Sequence, residues 1–146
     1  MHYTLTKIED NKRLDFLPKY FKGVALIQFE HFLYTVAEEK IKEYHGGFWD
    51  FYEIDIAGKK APLMVLSTKS PTLTLHGFSE DIVVNAFTAS LAVFSMALNH
   101  FMFHCSRNEK LLASLTNTYM TLNDYMYGDF EKKEEIDIAR LYQFLD

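Results

Sequence analysis

Hydrophobic and polar positions in this chain fall into one dominant pattern, which runs from Ser79 to Cys105. No Asp, Glu, Lys or Arg occurs between Asp81 and Arg107. Val84, Phe87, Leu91, Phe94, Leu98 and Phe101 recur at steps of three and four, the helical period. One residue over, Asn85, Thr88, Ala92, Ser95 and Asn99 form a second ridge, small and weakly polar. A helix apolar on most sides and small on the rest is one that other elements surround. Ser79 is the expected cap, Glu80 and Asp81 suit the positive end of the dipole, and Phe78 can staple onto Val83. The stretch is long enough for a membrane span, but Asn85, Ser90, Ser95, Asn99, His100 and His104 are too polar for one. The pattern predicts a long buried central helix.

Upstream, Leu14, Phe16, Leu17, Tyr20 and Phe21 cluster around Pro18, which permits only a short or bent helix. Val24 to Tyr44 reads as a long amphipathic helix with Leu26, Phe29, Leu33, Val36, Ala37 and Ile41 inward. Glu38 and Lys42 stand one turn apart as a candidate pair, and Gly46 and Gly47 stop the helix. Three strands follow, over Phe48–Ile56, Pro62–Thr68 and Thr72–Gly77, with Ala57–Lys60 as a glycine-containing turn. Aromatics on both faces at the start of the first strand predict cover on two sides. After the central helix, Ser106 and Glu109 have capping-box spacing. Leu111, Leu115, Tyr119, Leu122 and Met126 form the next apolar stripe, and Gly128 closes it. Asp129 to Glu135 reads as charged and solvated, and Ile138, Leu141, Tyr142 and Leu145 as a short docking helix. The fold class expected is α+β, a three-stranded antiparallel meander packed with helices in the order ααβββααα.

Length and composition narrow this further. A chain of 146 residues, 49% hydrophobic and 16% aromatic, reads as one domain over 1–146 with ample core material. One cysteine, Cys105, excludes an internal disulfide and fits a reducing, cytoplasmic setting. Met1 to Leu17 mixes charged and apolar residues, so neither a signal peptide nor an anchor is expected. The formal charge of −5 argues against stable nucleic-acid binding. Mimicry of duplex DNA is improbable as well. A globule of this length is about 38 Å across. A duplex of that span carries roughly 22 charges, at one per ~1.7 Å. The chain has 20 acids in all, interspersed with 15 bases.

Chemistry-bearing constellations are weak. His100 and His104 have the spacing of a two-histidine metal face, but Phe101 stands where a zinc protease needs Glu. Cys105 sits at the helix C-terminus, the wrong end to activate a thiol. Asp50 points to the opposite strand face from Glu53 and Asp55, which read as a solvated edge. No nucleophile elbow, dinucleotide loop or phosphate loop is present.

One run rises above background: Tyr44-His45-Gly46-Gly47-Phe48-Trp49-Asp50-Phe51-Tyr52. Two glycines free the backbone for a tight passage, and four aromatics follow within five residues. This run resembles the antirestriction family of plasmids and mobile elements, the ArdB/KlcA type. Arg13 with Phe16-Leu17-Pro18 and Phe21, then Ala61-Pro62, then Phe78-Ser79 with Asp81, extend the resemblance over roughly residues 13 to 100. The turn before Pro62 and the small residues early in the central helix differ from that family's pattern. The resemblance implies a non-enzymatic protein without a cofactor or metal, which counteracts type I restriction of incoming DNA. The implied partner is a host protein, such as the type I restriction-modification complex, with no membrane association. Tyr44, His45, Gly46, Gly47, Trp49 and Tyr52 are the implied partner-binding residues. Packing alone also accounts for the glycines and aromatics. A second reading is a small-molecule or peptide-binding module with a pocket among His45, Trp49, Tyr52 and His76.

Overall fold

The computed structural model describes residues 2–128 and 135–145. Its elements run β1 (Thr4–Lys7), α1 (Arg13–Phe16), α2 (Val24–Lys40), β2 (Trp49–Ile56), β3 (Lys59–Leu66), β4 (Thr72–His76), β5 (Asp81–Asn85), α3 (Ala86–His104), α4 (Glu109–Tyr127) and α5 (Ile138–Leu145). The class is α+β, as expected, but the order differs.

The three-stranded sheet is β1-β2-β3, antiparallel throughout. Its first strand lies near the N-terminus, where the sequence pattern assigns no element. Thr4-Leu5-Thr6 alternates, but four residues give too short a signal to read, and pairing with β2 decides the matter. The expected third strand, β4, does not join this sheet. It pairs with β5 as a separate hairpin, His76 opposite Asp81 and Thr72 opposite Asn85. Pro62 lies inside β3 and not at its start, which an edge strand tolerates. The β3 edge is covered by α3, where the Ser90 hydroxyl accepts from the Leu66 N–H at 3.0 Å and donates to the Ala86 carbonyl.

The central helix is present and buried, but it starts at Ala86 and not at Ser79. Ile82, Val83 and Val84 alternate buried and exposed and are β-branched, so the approach to the helix is a strand. Asn85 is the cap, its side chain accepting from the Thr88 N–H at 2.7 Å. The expected staple is not made, since Phe78 is fully exposed in the hairpin turn. By length and composition α3 could cross a membrane, but most of it is buried inside the fold.

Helix α2 stops four residues early. Ile41 turns extended and bridges Leu75, while the Lys42 N–H donates to the Thr74 carbonyl. Docking on the hairpin overrides helix propensity there, and Lys42 leaves the helix face that Glu38 occupies. The Glu43 carboxylate then takes both the N–H and the hydroxyl of Thr74. Burial pushes that carboxyl up, but these two donors outweigh it and hold it below the usual range. Helix α4 is capped by Asn108, not Ser106, and closes at Gly128 as predicted. On α5 the inward residues are Leu141 and Phe144, while Tyr142 is exposed. Of the stretch read as solvated, residues 129–134 lie outside the described residues. Glu135 is half-buried and accepts from Tyr3 and Tyr125.

The core gathers Phe21, Phe29, Phe94 and Phe101 between α2 and α3. The predicted two-sided cover of β2 is borne out. Phe16 stacks on Phe51 on one face, and Phe87 of α3 meets Tyr52 edge-on on the other.

Candidate functional site

The passage from α2 to β2 is built on its two glycines. Gly46 and Gly47 have φ of 89° and 150°, which residues with a side chain rarely adopt. A Cβ on Gly47 would also lie 3.2 Å from the Leu66 side chain. This backbone brings Tyr44 back over Trp49, with ring centroids 5.8 Å apart, while Tyr34 of α2 lies 6.3 Å from the same indole. Trp49 is buried, so its area serves packing.

Arg13 holds the far side of this loop. Its guanidinium lies 4.3 Å from the Phe48 ring centre and 3.9 Å from that of Phe51, a cation between two π faces. It also donates to the Trp49 carbonyl at 2.8 Å. Two parts of the sequence signature, 36 residues apart, thus meet in one cluster. Phe48, covering the arginine, remains 56% exposed.

Beside the cluster lies an open cleft of about 590 Å³ lined by Tyr34, Glu38, Tyr44, His45, Gly46 and Gly47. Four of the six predicted partner-binding residues therefore line it. Trp49 lies against two of its aromatic walls, and Tyr52 lies elsewhere, against Phe87. Sequence reasoning missed Tyr34 and Glu38. The available signal was an aromatic on the outer face of α2, one turn from Glu30 and from Glu38. The Tyr34 hydroxyl donates to Glu30 at 2.8 Å, and its phenol is pushed up by burial first and by Glu30 second.

The alternative pocket does not form. His45 is at the cleft and Tyr52 is on the other strand face. His76 sits on the hairpin, its Nδ1 3.0 Å from Asp81. The remaining candidates take structural places. His100 and His104 are exposed, and the His104 ring stacks with Phe101. Cys105 is buried, and burial pushes its thiol up. Glu53, read as a solvated edge, is half-buried and accepts from the Tyr20 hydroxyl at 2.8 Å. Asp55 accepts from the Gly58 N–H in the β2–β3 turn. Among the described residues, no three His, Cys, Asp or Glu side chains gather as a metal site.

Together these features define an α+β protein with a buried central helix and an aromatic clamp at its helix-to-strand passage. The fold is that of the KlcA and ArdB proteins. A solved structure reported for them matches 100% of this chain and 96% of its own, with a TM-score of 0.78 and 20% identity. Those proteins are described as showing a novel fold and antirestriction activity against type I DNA restriction systems in vivo but not in vitro. The uncharacterized protein YafX of Escherichia coli K12 is 27% identical over 125 residues, 84% of this chain and 78% of YafX. No protein-family model matches the chain.

Proposed function

We propose that this chain is a cytoplasmic antirestriction protein of a mobile element, which relieves type I restriction of incoming DNA by binding a host protein. The observation that carries this reading is the full-length correspondence of fold with the KlcA and ArdB structure. The activity described for those proteins in vivo but not in vitro favours action through another cell component over direct blockade of the enzyme. The modest charge of −5 favours the same route over DNA mimicry. Catalysis has no support from the site, where no nucleophile is paired with a base. The partner is assigned to the cleft of Tyr44, His45, Gly46 and Gly47, with Trp49 packed behind its aromatic walls, because Tyr is among the residues that dominate binding hot spots.

Phage plating tests the reading. Unmodified phage should plate more efficiently on a type I restricting host that expresses the chain. The purified chain should leave DNA cleavage by the purified enzyme unchanged. Unaltered plating across several type I systems would overturn the function.

A further inference from the structure

One face of α4 walls a groove that shares no lining residue with the Tyr44 cleft. Three adjoining hollows of about 690, 570 and 380 Å³ compose it, the first two sharing Gln28, Asn108 and Leu111 and the last two Ser114. Leu111, Ser114, Thr118 and Thr121 recur at steps of three and four, so the wall is one continuous stripe of the helix. The groove collects cations. Lys19, Lys22, Lys59, Lys60, Arg107 and Lys110 line it, six of the chain's 15 Lys and Arg. Glu109 and Asp124 are the carboxylates of the lining, two of the chain's 20. Glu53 and Asp55 lie close to Tyr20 but do not line the groove. All six cations are exposed, and among the described residues none forms an ion pair. An acidic chain thus leaves unneutralised positive charge along one concave strip, where such charge draws anionic groups.

We propose that this groove binds an extended acidic segment of a protein partner, its carboxylates meeting the cations and its apolar side chains meeting Val24, Leu111 and Met120. Charge complementarity sets the sign of the occupant. Val24 and Met120 are more than half exposed, so apolar area stands open beside the charges. Single-stranded nucleic acid has the same sign but fits less well. Its bases need aromatic platforms, and Tyr20 is the one aromatic of the lining apart from His104. Glu109 and Asp124 interrupt the cations, so an unbroken phosphate backbone meets repulsion where a peptide can place a neutral residue. From Lys110 to Asp124 the helix rises about 21 Å, the reach of about six extended residues. The proposal stands on the charge and shape of the groove and not on the antirestriction reading.

Fluorescein-labelled Glu-Leu-Glu-Glu-Leu-Glu amide, titrated with the whole chain at low ionic strength, should give a saturable rise in anisotropy. Its affinity should fall as salt is raised. The same peptide with Gln in place of each Glu should give no saturable rise. Lys22→Glu and Lys110→Glu should each weaken binding roughly tenfold, since each removes an attraction and adds a repulsion. Lys69→Glu makes the same change of charge at an exposed position outside the groove, and should leave the affinity within about twofold of wild type. All three side chains are exposed and without an ion pair among the described residues, so the variants should melt near wild type. The proposal would be overturned by the lack of a saturable rise, or by equal binding of the glutamine peptide. Tighter binding of a short single-stranded oligothymidylate, or equal losses from Lys69→Glu and Lys110→Glu, would overturn it as well.

Discussion

Arg13 shows how one side chain joins distant stretches of sequence. It reaches from α1 to the start of β2, where its guanidinium lies over the Phe48 and Phe51 rings and one N–H meets the Trp49 carbonyl. A guanidinium is suited to this, being planar, weakly hydrated and able to stack while it donates. Lysine keeps the charge but has neither the plane nor the fork. Arg13→Lys should therefore destabilise the fold by about 1–2 kcal/mol, from a half-buried cation–π pair and one hydrogen bond. The emission of Trp49 should shift as its strand end loosens. Denaturant melts followed by that emission check it, and a wild-type midpoint would mean the stacking contributes nothing. Trp49 itself teaches a related point. Its position in an aromatic run was plain from the sequence, but whether it faced a partner or the core depended on Tyr34 and Tyr44 closing over it.

At the scale of elements, legibility followed the length of each pattern. The period of Leu91, Phe94, Leu98 and Phe101 extends over several turns, and these residues are fully buried on α3. The preceding Ile82-Val83-Val84 is short enough to fit either period, and only cross-strand pairing with Thr74 and its neighbours resolves it. The same limit hid β1, and it misplaced the end of α2, where Ile41 leaves the helix to bridge Leu75. The cleft was half legible, since Tyr44 to Gly47 are contiguous while Tyr34 and Glu38 arrive from α2. Two substitutions on α3 test the packing. Leu91 is fully buried, so Leu91→Ala should cost about 2–5 kcal/mol through lost transfer energy and a residual cavity. Ala92 is also fully buried, on the small ridge that includes Thr88 and Ser95, and α4 packs on α3. Enlarging it to Leu should overpack by about 1–3 kcal/mol. Midpoints near wild type for both would mean that α3 is not the packing centre.

Over the whole molecule, the N-terminal strand and the last helix are tied together through one carboxylate. Glu135 Oε1 accepts from Tyr3, just ahead of β1, at 2.6 Å and from Tyr125 of α4 at 2.7 Å. Its carbonyl accepts from Asn85, the cap of α3, at 3.3 Å, and the Thr88 hydroxyl accepts from the Asp137 N–H. Such a node secures the approach to α5 only while the phenols keep their protons. Burial first, and then the bond to Glu135 and its charge, push the Tyr125 phenol well above its ordinary value of 10.0. Tyr20 is pushed up in the same way, by burial first and by Glu53 second. The folded chain therefore retains phenolic protons that the unfolded chain releases above about pH 10. Where the unfolded state binds fewer protons, stability falls as pH rises. These tyrosines should leave stability unchanged up to about pH 10 and lower it progressively beyond. Tyr125→Phe should be less stable at neutral pH, having lost a bond to a carboxylate, but its stability should fall less steeply with alkali. Urea midpoints measured at half-unit steps from pH 8 to pH 11.5 give both slopes. Equal slopes for the two proteins would mean that the Tyr125 proton is not held by the fold, and that Glu135 does not close the molecule in the way described.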